Sequence, residues 1–267
     1  MKNKIIEEYK NLGYYWGKSV VPKEVIDNIN NYLEGLDSKI NIAFTDVPWG
    51  WGNQVDTGPF QFLQDNSFII DFCKELLGEG FIFNHFYVHN KAPWVGLIEH
   101  WHQEIYNVNT FAPGLEEENW ENLMQVFIAL HDQDLENGCL KVIPQSHKLG
   151  LLEHTDVLGP NMGHKRATLP ESLELAYNKF GIENLTMKAG DVLFFNHLLL
   201  HGSTSNNGPT PRRAIVGQAR KPMTKSTEVF EKETKHRTGF VISTLEERVK
   251  FLKDKSKSYY SDSNKKD

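Results

Sequence analysis

The sequence predicts a mainly β protein, an antiparallel jelly roll with flanking helices, on three observations. Residues alternate with period two in several separate stretches after residue 81. The connections between these stretches are long and lack the alternating strand–helix rhythm of a parallel sheet. Aromatic residues make up 12% of the 267-residue chain (16 Phe, 9 Tyr and 6 Trp), which suits the filled interior of a sandwich or barrel.

The opening segment reads as a helix, a short strand and a second helix. In that second helix, Lys23 to Leu36, the residues Val25, Ile26, Ile29, Tyr32, Leu33 and Leu36 recur at helical spacing. Pro22 suits its first turn, and Gly35-Leu-Asp marks its exit. Residues 47–62 are rich in Gly, Pro and Trp and read as a loop. Ser67 is placed to cap a helix from Phe68 to Leu77, which Gly78-Glu-Gly80 stops. From residue 81, Phe83, His85, Tyr87 and His89 alternate with Asn84, Phe86, Val88 and Asn90. In the next strand Met124, Val126, Ile128 and Leu130 face one way, and Gln125, Phe127, Ala129 and His131 the other. Residues 164–185 hold one more helix, around Leu173 to Phe180. Asp191 to Leu200 and Arg212 to Arg220 are further strands, separated by a Gly/Ser/Asn/Pro-rich loop. Residues 1–252 are expected to form a single domain, and the polar residues 253–267 a flexible tail.

Composition narrows the function classes. The net charge of −6 and the lack of a basic stripe disfavour nucleic acid and anionic membranes. No apolar run reaches the length of a membrane span, and the N-terminus lacks the apolar core of a signal peptide. Two cysteines, Cys73 and Cys139, argue against a disulfide framework or a cysteine-ligated zinc site. A reducing cytoplasm is the expected location.

Trp101-His-Gln-Glu-Ile-Tyr106 places His102 and Glu104 two residues apart, so on an extended segment both side chains project to one face. An imidazole and a carboxylate suit Fe(II), and one further histidine completes a two-histidine, one-carboxylate set with coordination positions left open. Such pairs occur by chance in many chains, so the spacing alone makes only a candidate. Downstream, Gly190-Asp-Val-Leu-Phe-Phe-Asn-His-Leu-Leu-Leu-His201 reads as a turn and a buried strand ending on a histidine. Arg212 then opens another strand after Pro209-Thr-Pro211. Its planar fork matches a carboxylate bidentately, although a surface arginine near a turn is the plainer alternative. His100 is a rival ligand because it shares a face with His102. His197 and His201 have the spacing of zinc helices, but their segment is rich in Phe and Leu and lacks that motif's Glu. Gln125, Phe127 and His131 share one face of their strand, as do Arg212, Gln218 and Arg220; these are either pocket walls or ordinary core and ion-pair residues.

Three stretches in this order resemble the phytanoyl-CoA dioxygenase-like family of Fe(II)/2-oxoglutarate oxygenases. The first is Trp101-His-Gln-Glu-Ile-Tyr106, similar to the family's Trp-His-Gln-Asp-x-x-Tyr. The second is Phe127 to Lys148, with its specific core Glu136-Asn-Gly-Cys-Leu and Val142-Ile-Pro…Ser146-His-Lys. The third is His201-Gly-Ser…Asn206…Arg212-Arg-Ala. The resemblance runs from about Gly13 to Arg220. It implies a cupin-like double-stranded β-helix whose metal ligands are His102, Glu104 and His201, with Arg212 anchoring the 2-oxoglutarate co-substrate. It also implies that Ser203, Phe127 and Tyr87 lie beside the co-substrate, and Gln125, on the same strand face as Phe127, is counted with them as a pocket wall. One departure is Glu104, where the family usually has Asp; the charge and oxygen donor remain but one methylene is added. A carboxylate there also argues against a halogenating variant, in which Ala or Gly vacates the position.

The function implied is hydroxylation of a small-molecule metabolite with O2, releasing succinate and CO2. Two alternatives stand beside it: an oxygenase acting on a protein side chain, and a cupin-like metal-binding protein without 2-oxoglutarate turnover. The Trp49–Trp51 segment and the acidic 107–122 insert are candidate covers of the pocket. Substrate identity and oligomeric state are not legible in the sequence.

Overall fold

The computed structural model describes residues 2–40, 47–51, 54–55, 62–94, 98–104, 123–157 and 166–221. The 107–122 insert and the 253–267 tail lie outside them. In chain order the elements are α1 (Lys2–Leu12), β1 (Tyr14–Gly17), α2 (Lys23–Ile40), β2 (Val47–Trp51), β3 (Gln54–Val55), α3 (Phe62–Asp65), α4 (Ser67–Leu77), β4 (Ile82–Lys91), β5 (Glu99–His102), β6 (Leu123–Ala129) and β7 (Leu140–Val142). There follow β8 (His154–Asp156), β9 (Arg166–Thr168), α5 (Pro170–Phe180), β10 (Glu183–Leu185), β11 (Val192–Asn196), β12 (His201–Ser203) and β13 (Arg212–Arg220).

Two antiparallel sheets carry the architecture. The larger has the order β1-β11-β6-β13-β4-β2-β3 and the smaller β10-β7-β12-β5, with β8-β9 as a separate ribbon. The expected jelly-roll architecture is present: the inner face of the large sheet packs on the small one. Phe127, Ala129, Leu193, Phe195, Ala214 and Val216 meet Leu140, Val142, Leu185 and Met187 there. The outer face of the large sheet, with Val126, Ile128, Phe194 and Ile215, packs against Ile26 and Ile29 of α2 and Phe72 of α4. Phe72 and Phe194 stack with ring centroids 4.0 Å apart. Strand β6 is thus buried on both faces, which explains its nearly continuous apolar run. Among the described residues no helix is long and apolar enough to cross a membrane.

Several boundaries differ from expectation. Helix α2 continues past Gly35 to Ile40; a helical glycine costs only about 1 kcal/mol relative to alanine, and no proline follows to stop the helix. Asn66 rather than Ser67 caps α4, its side chain accepting from Ile69 N–H at 3.1 Å. The segment expected as a Trp-rich loop contains the β2–β3 hairpin, laid on the edge of β4 with an irregularity between Pro48 and Gly50.

The largest difference has a functional consequence. The single strand expected from Asp191 to Leu200 breaks after Asn196. The Asn196 side chain accepts from Leu198 N–H at 2.8 Å, and its carbonyl accepts from Leu199 N–H at 2.9 Å. This tight turn lets β11 stay in the large sheet while β12 crosses to the small one, carrying His201 with it.

The Glu136-Asn-Gly138 segment forms a structural turn. Asp134 Oδ1 accepts from the backbone N–H groups of Glu136 and Asn137, and Asn137 Oδ1 accepts from Asp134 N–H, all at 2.9 Å. Gly138 has φ +78°, and a Cβ there would stand 2.4 Å from the Thr204 carbonyl oxygen. Gly138→Ala is therefore expected to destabilise the fold by at least about 2 kcal/mol, read as a lowered midpoint in chemical denaturation. An unchanged midpoint would contradict this close approach.

Candidate metal centre

Strand β5 ends on His102 and β12 begins on His201, and the two are cross-strand partners. Glu104 follows two residues after His102, and all three side chains are buried. One donor atom from each lies within 4.8 Å of the others. Glu104 Oε1 is 3.2 Å from His201 Nε2 and 3.6 Å from His102 Nε2. Phe195 closes one side, its ring 4.8 Å from that of His201.

The histidine rings are aimed by their own strands. His102 Nδ1 donates to the His100 carbonyl at 2.6 Å, and His201 Nδ1 donates to the Leu199 carbonyl at 2.9 Å. A carbonyl can only accept, so Nδ1 carries a proton in each ring, and a ring in its neutral form presents an Nε2 lone pair. Two lone pairs and a carboxylate oxygen then converge on one point, an arrangement that needs a cation or a proton between them. The set suits a metal that accepts imidazole and carboxylate. His100 contributes only its carbonyl here and stands outside the cluster, as does the buried His197.

Gln103, between the two clustered residues, anchors the bend. Its Nε2 donates to the carbonyls of Gly150 (2.9 Å) and Leu198 (2.7 Å), and its Oε1 accepts from Leu152 N–H (2.8 Å).

The second half of the site lies where Arg212 on β13 faces Lys91 on β4 in register. Both are only 1% exposed. Arg212 Nε donates to Gln133 Oε1 at 3.2 Å, and the guanidinium carbon lies 5.2 Å from the centre of the Phe127 ring. Its Nη1 and Nη2 have no hydrogen-bond partner among the described residues. Lys91 Nζ donates to Ser203 Oγ at 2.7 Å and to the Thr204 carbonyl. Asn206 Nδ2 donates to the carbonyls of Lys91 (3.0 Å) and Thr210 (2.8 Å), tying the 204–211 loop to the end of β4. Burial, followed by the charge of Arg212, pushes the Lys91 ammonium down to about 7. Burial lowers Arg212 to about 10.

The residues singled out in the sequence therefore fall into two groups in one interior. His102, Glu104 and His201 come together, and Arg212, Phe127 and Ser203 come together. Gln125 is buried opposite Phe195 and Gln218, at the end of the interior where Phe195 meets His201, with an Oε1 that has no partner among the described residues. Tyr87 is paired with Val216 along the backbone, but its side chain lies outside the described residues. His131 is a tie: its Nδ1 donates to the Pro211 carbonyl at 2.7 Å, just before Arg212. Lys91, Gln103 and Gln133 were not anticipated. Lys91 carried a signal, since period two continues from His85, Tyr87 and His89 onto it.

An antiparallel double-stranded β-helix bearing a buried two-histidine, one-carboxylate cluster on its small sheet defines a cupin-like metal-site class. The family model described as phytanoyl-CoA dioxygenase (PhyH) matches residues 53–214, and the chain belongs to that family. The ectoine dioxygenase of Bordetella bronchiseptica is 27% identical over 155 residues, covering 54% of this chain and 47% of that protein. The L-proline trans-4-hydroxylase of Streptomyces griseoviridis is 29% identical over 162 residues, covering 55% of this chain and 57% of that protein. The chain thus spans about half the length of the curated relatives it matches. EctD from S. alaskensis, crystallised with 2-oxoglutarate and 5-hydroxyectoine, shares the fold with a TM-score of 0.63 at 18% identity. That likeness covers 83% of this chain and 76% of EctD.

Proposed function

We propose that this chain is an Fe(II)- and 2-oxoglutarate-dependent oxygenase that hydroxylates a small-molecule metabolite, releasing succinate and CO2. The observation that carries the proposal is the juxtaposition of three converging donor atoms with a buried Arg212 whose two Nη groups lack acceptors among the described residues. Each buried donor left unsatisfied costs roughly 1–3 kcal/mol, so this pocket calls for an anionic ligand. Family membership supports the same reading, as do relatives named for ectoine and proline.

His102 Nε2, His201 Nε2 and Glu104 would hold Fe(II). When bound, the iron supplies a redox-active Lewis-acid centre for reducing oxygen, coupled to decarboxylation of 2-oxoglutarate and oxidation of a substrate C–H bond. The chain's own groups bind and orient. Arg212 and Lys91 neutralise the far carboxylate of the co-substrate. Ser203 holds the Lys91 ammonium in place, and Phe127 provides an apolar wall under the guanidinium. Gln125 is assigned to the pocket wall, and for Tyr87 a place beside the co-substrate rests on the family resemblance alone. Because the described walls are buried, each charge interaction is stronger than it is at a surface. We assign residues 1–252 to one domain. Two free, buried cysteines fit a reducing cytoplasm.

The test is loading of Fe(II) and 2-oxoglutarate, then a metabolite panel scored for substrate-stimulated succinate. Stimulation by a small metabolite is the expected result. Succinate formation stimulated only by a protein would move the assignment to a macromolecular substrate, and no 2-oxoglutarate binding would overturn it.

The Lys91 ammonium adds a pH dependence. Facing it are Arg212 from β13, Glu99 from β5, Ser203 and Thr204 from the β12 edge, and Cys139 beside β7. Below about pH 7 Lys91 is a cation, and above it neutral. A bound dianion favours the cation, so affinity falls as pH rises, by up to about tenfold per unit between the free and bound pKa values. Titration of 2-oxoglutarate from pH 6 to pH 9 checks this, and Lys91→Met is expected to flatten the profile.

A further inference from the structure

Gln133 lies just outside the strands that build the site, yet its side chain is only 2% exposed and touches the buried guanidinium. Its backbone N–H donates to the Met187 carbonyl at 2.8 Å, which fixes the entry to the 133–138 turn. Its Oε1 accepts from Arg212 Nε at 3.2 Å. An arginine Nε–H can only donate, so the amide oxygen must face it and the orientation of the amide is settled. The amide nitrogen, Nε2, is buried and has no partner among the described residues, like Nη1 and Nη2 of the arginine it adjoins. Three donor nitrogens therefore share one buried region and none has a hydrogen-bond partner among the described residues, although the charge of the buried Glu99 acts on Arg212.

The chemical type of this neighbour is informative. A buried arginine is usually matched by a carboxylate, which orients the fork and cancels its charge at once. An amide oxygen orients the fork through Nε and leaves the positive charge in place. It also leaves both Nη groups, a pair that can form a bidentate contact with a carboxylate, without a hydrogen-bond partner among the described residues. We propose that Gln133 is a positioning residue that aims Arg212 while preserving the pocket's charge for a dianionic co-substrate, and that its Nε2 gives the distal carboxylate a further donor. The proposal rests on the 2-oxoglutarate reading of the site.

Gln133→Glu tests it, because the two side chains have nearly the same shape. Glutamate keeps an acceptor for Arg212 Nε, adds a negative charge and removes the Nε2 donor. Two ligands are titrated anaerobically into the Fe(II)-loaded protein by calorimetry: 2-oxoglutarate, and 2-oxopentanoate, which lacks the distal carboxylate. The variant is expected to lose at least about tenfold in 2-oxoglutarate affinity while 2-oxopentanoate changes by less than about twofold. Its melting temperature stays level or rises, since Arg212 gains an ion-pair partner. A merely structural glutamine would move stability and leave this ligand preference intact.

Gln133→Met supplies a second arm should the glutamate variant fail to fold. It removes acceptor and donor together, and is expected to raise KM for 2-oxoglutarate at least about fivefold with kcat little changed. Equal 2-oxoglutarate binding by the native and glutamate forms would overturn the assignment of Gln133 alone. Equal loss of both ligands would do the same, by pointing to distortion at the metal. Failure of the native Fe(II)-loaded protein to bind 2-oxoglutarate would remove the co-substrate reading and this inference with it.

Discussion

Replacing Arg212 with leucine is expected to weaken 2-oxoglutarate binding by about 2–5 kcal/mol, on the order of 30- to several-thousandfold. The size of the effect follows from burial. Arg212 is 1% exposed, its Nε is held by Gln133, and its Nη groups face no acceptor among the described residues. A dicarboxylate therefore meets a guanidinium that has already been stripped of water and oriented, so most of the interaction appears as affinity. Leucine removes the charge and both donors at once. Lys91 remains, but one ammonium already engaged with Ser203 and Thr204 does not replace a planar fork. Metal affinity should stay within a few-fold of the native value, because the three clustered residues sit on other strands. Calorimetry with Mn(II) and then 2-oxoglutarate separates the two quantities. Wild-type 2-oxoglutarate affinity in the leucine variant would exclude this pocket as the co-substrate anchor.

Removal of a clustered side chain is expected to act the other way round. Glu104→Ala and His201→Ala should each lower Fe(II) affinity by more than the roughly 10–100-fold typical of losing an outer-shell partner, and should abolish turnover. Glu104 supplies the only negative charge among the three, and its oxygen lies within 3.6 Å of both histidine Nε2 atoms. Without it, two neutral imidazoles remain, a weak seat for a divalent ion. Glu104→Asp is the sharper comparison. It retains the charge but shortens the reach by one methylene, so metal binding should persist in reduced form while turnover falls. Identical Fe(II) affinity in Glu104→Ala and the native protein would show that the carboxylate is no ligand. Circular dichroism on the same preparations checks that the sheets remain formed.

The features that were legible in the sequence are those set by local geometry. Period-two alternation identified β4 and β6, the Gly/Ser/Asn/Pro-rich loop marked the start of β13, and the His-x-Glu spacing described one face of an extended segment. The approach of His201 to that pair was legible only through family resemblance, because it depends on a turn at 197–200 that interrupts an apolar run. Hydrophobicity continued across that turn, since both flanking strands are buried, and so gave no sign of the change of sheet. The β2–β3 hairpin was hidden for a different reason: its Gly and Pro content lacks strand propensity, and pairing with β4 supplies what propensity does not. Lys91 was an exception visible in the alternation itself, as a charged residue on an inward face. Gln133 carried no local signal at all; its role arises because the turn after β6 folds back against the start of β13.

The backbone tethers of the two histidines have a consequence for how this scaffold can diversify. Each ring is held by the carbonyl two residues earlier in its own chain segment, a group that no substitution can delete. Other metal sites hold their rings through a carboxylate or amide side chain, and a single mutation there re-aims the ligand. Here the surrounding walls and loops can be exchanged while the aim of both rings is inherited with the main chain. Altering which substrate enters is thereby uncoupled from keeping the catalytic centre assembled.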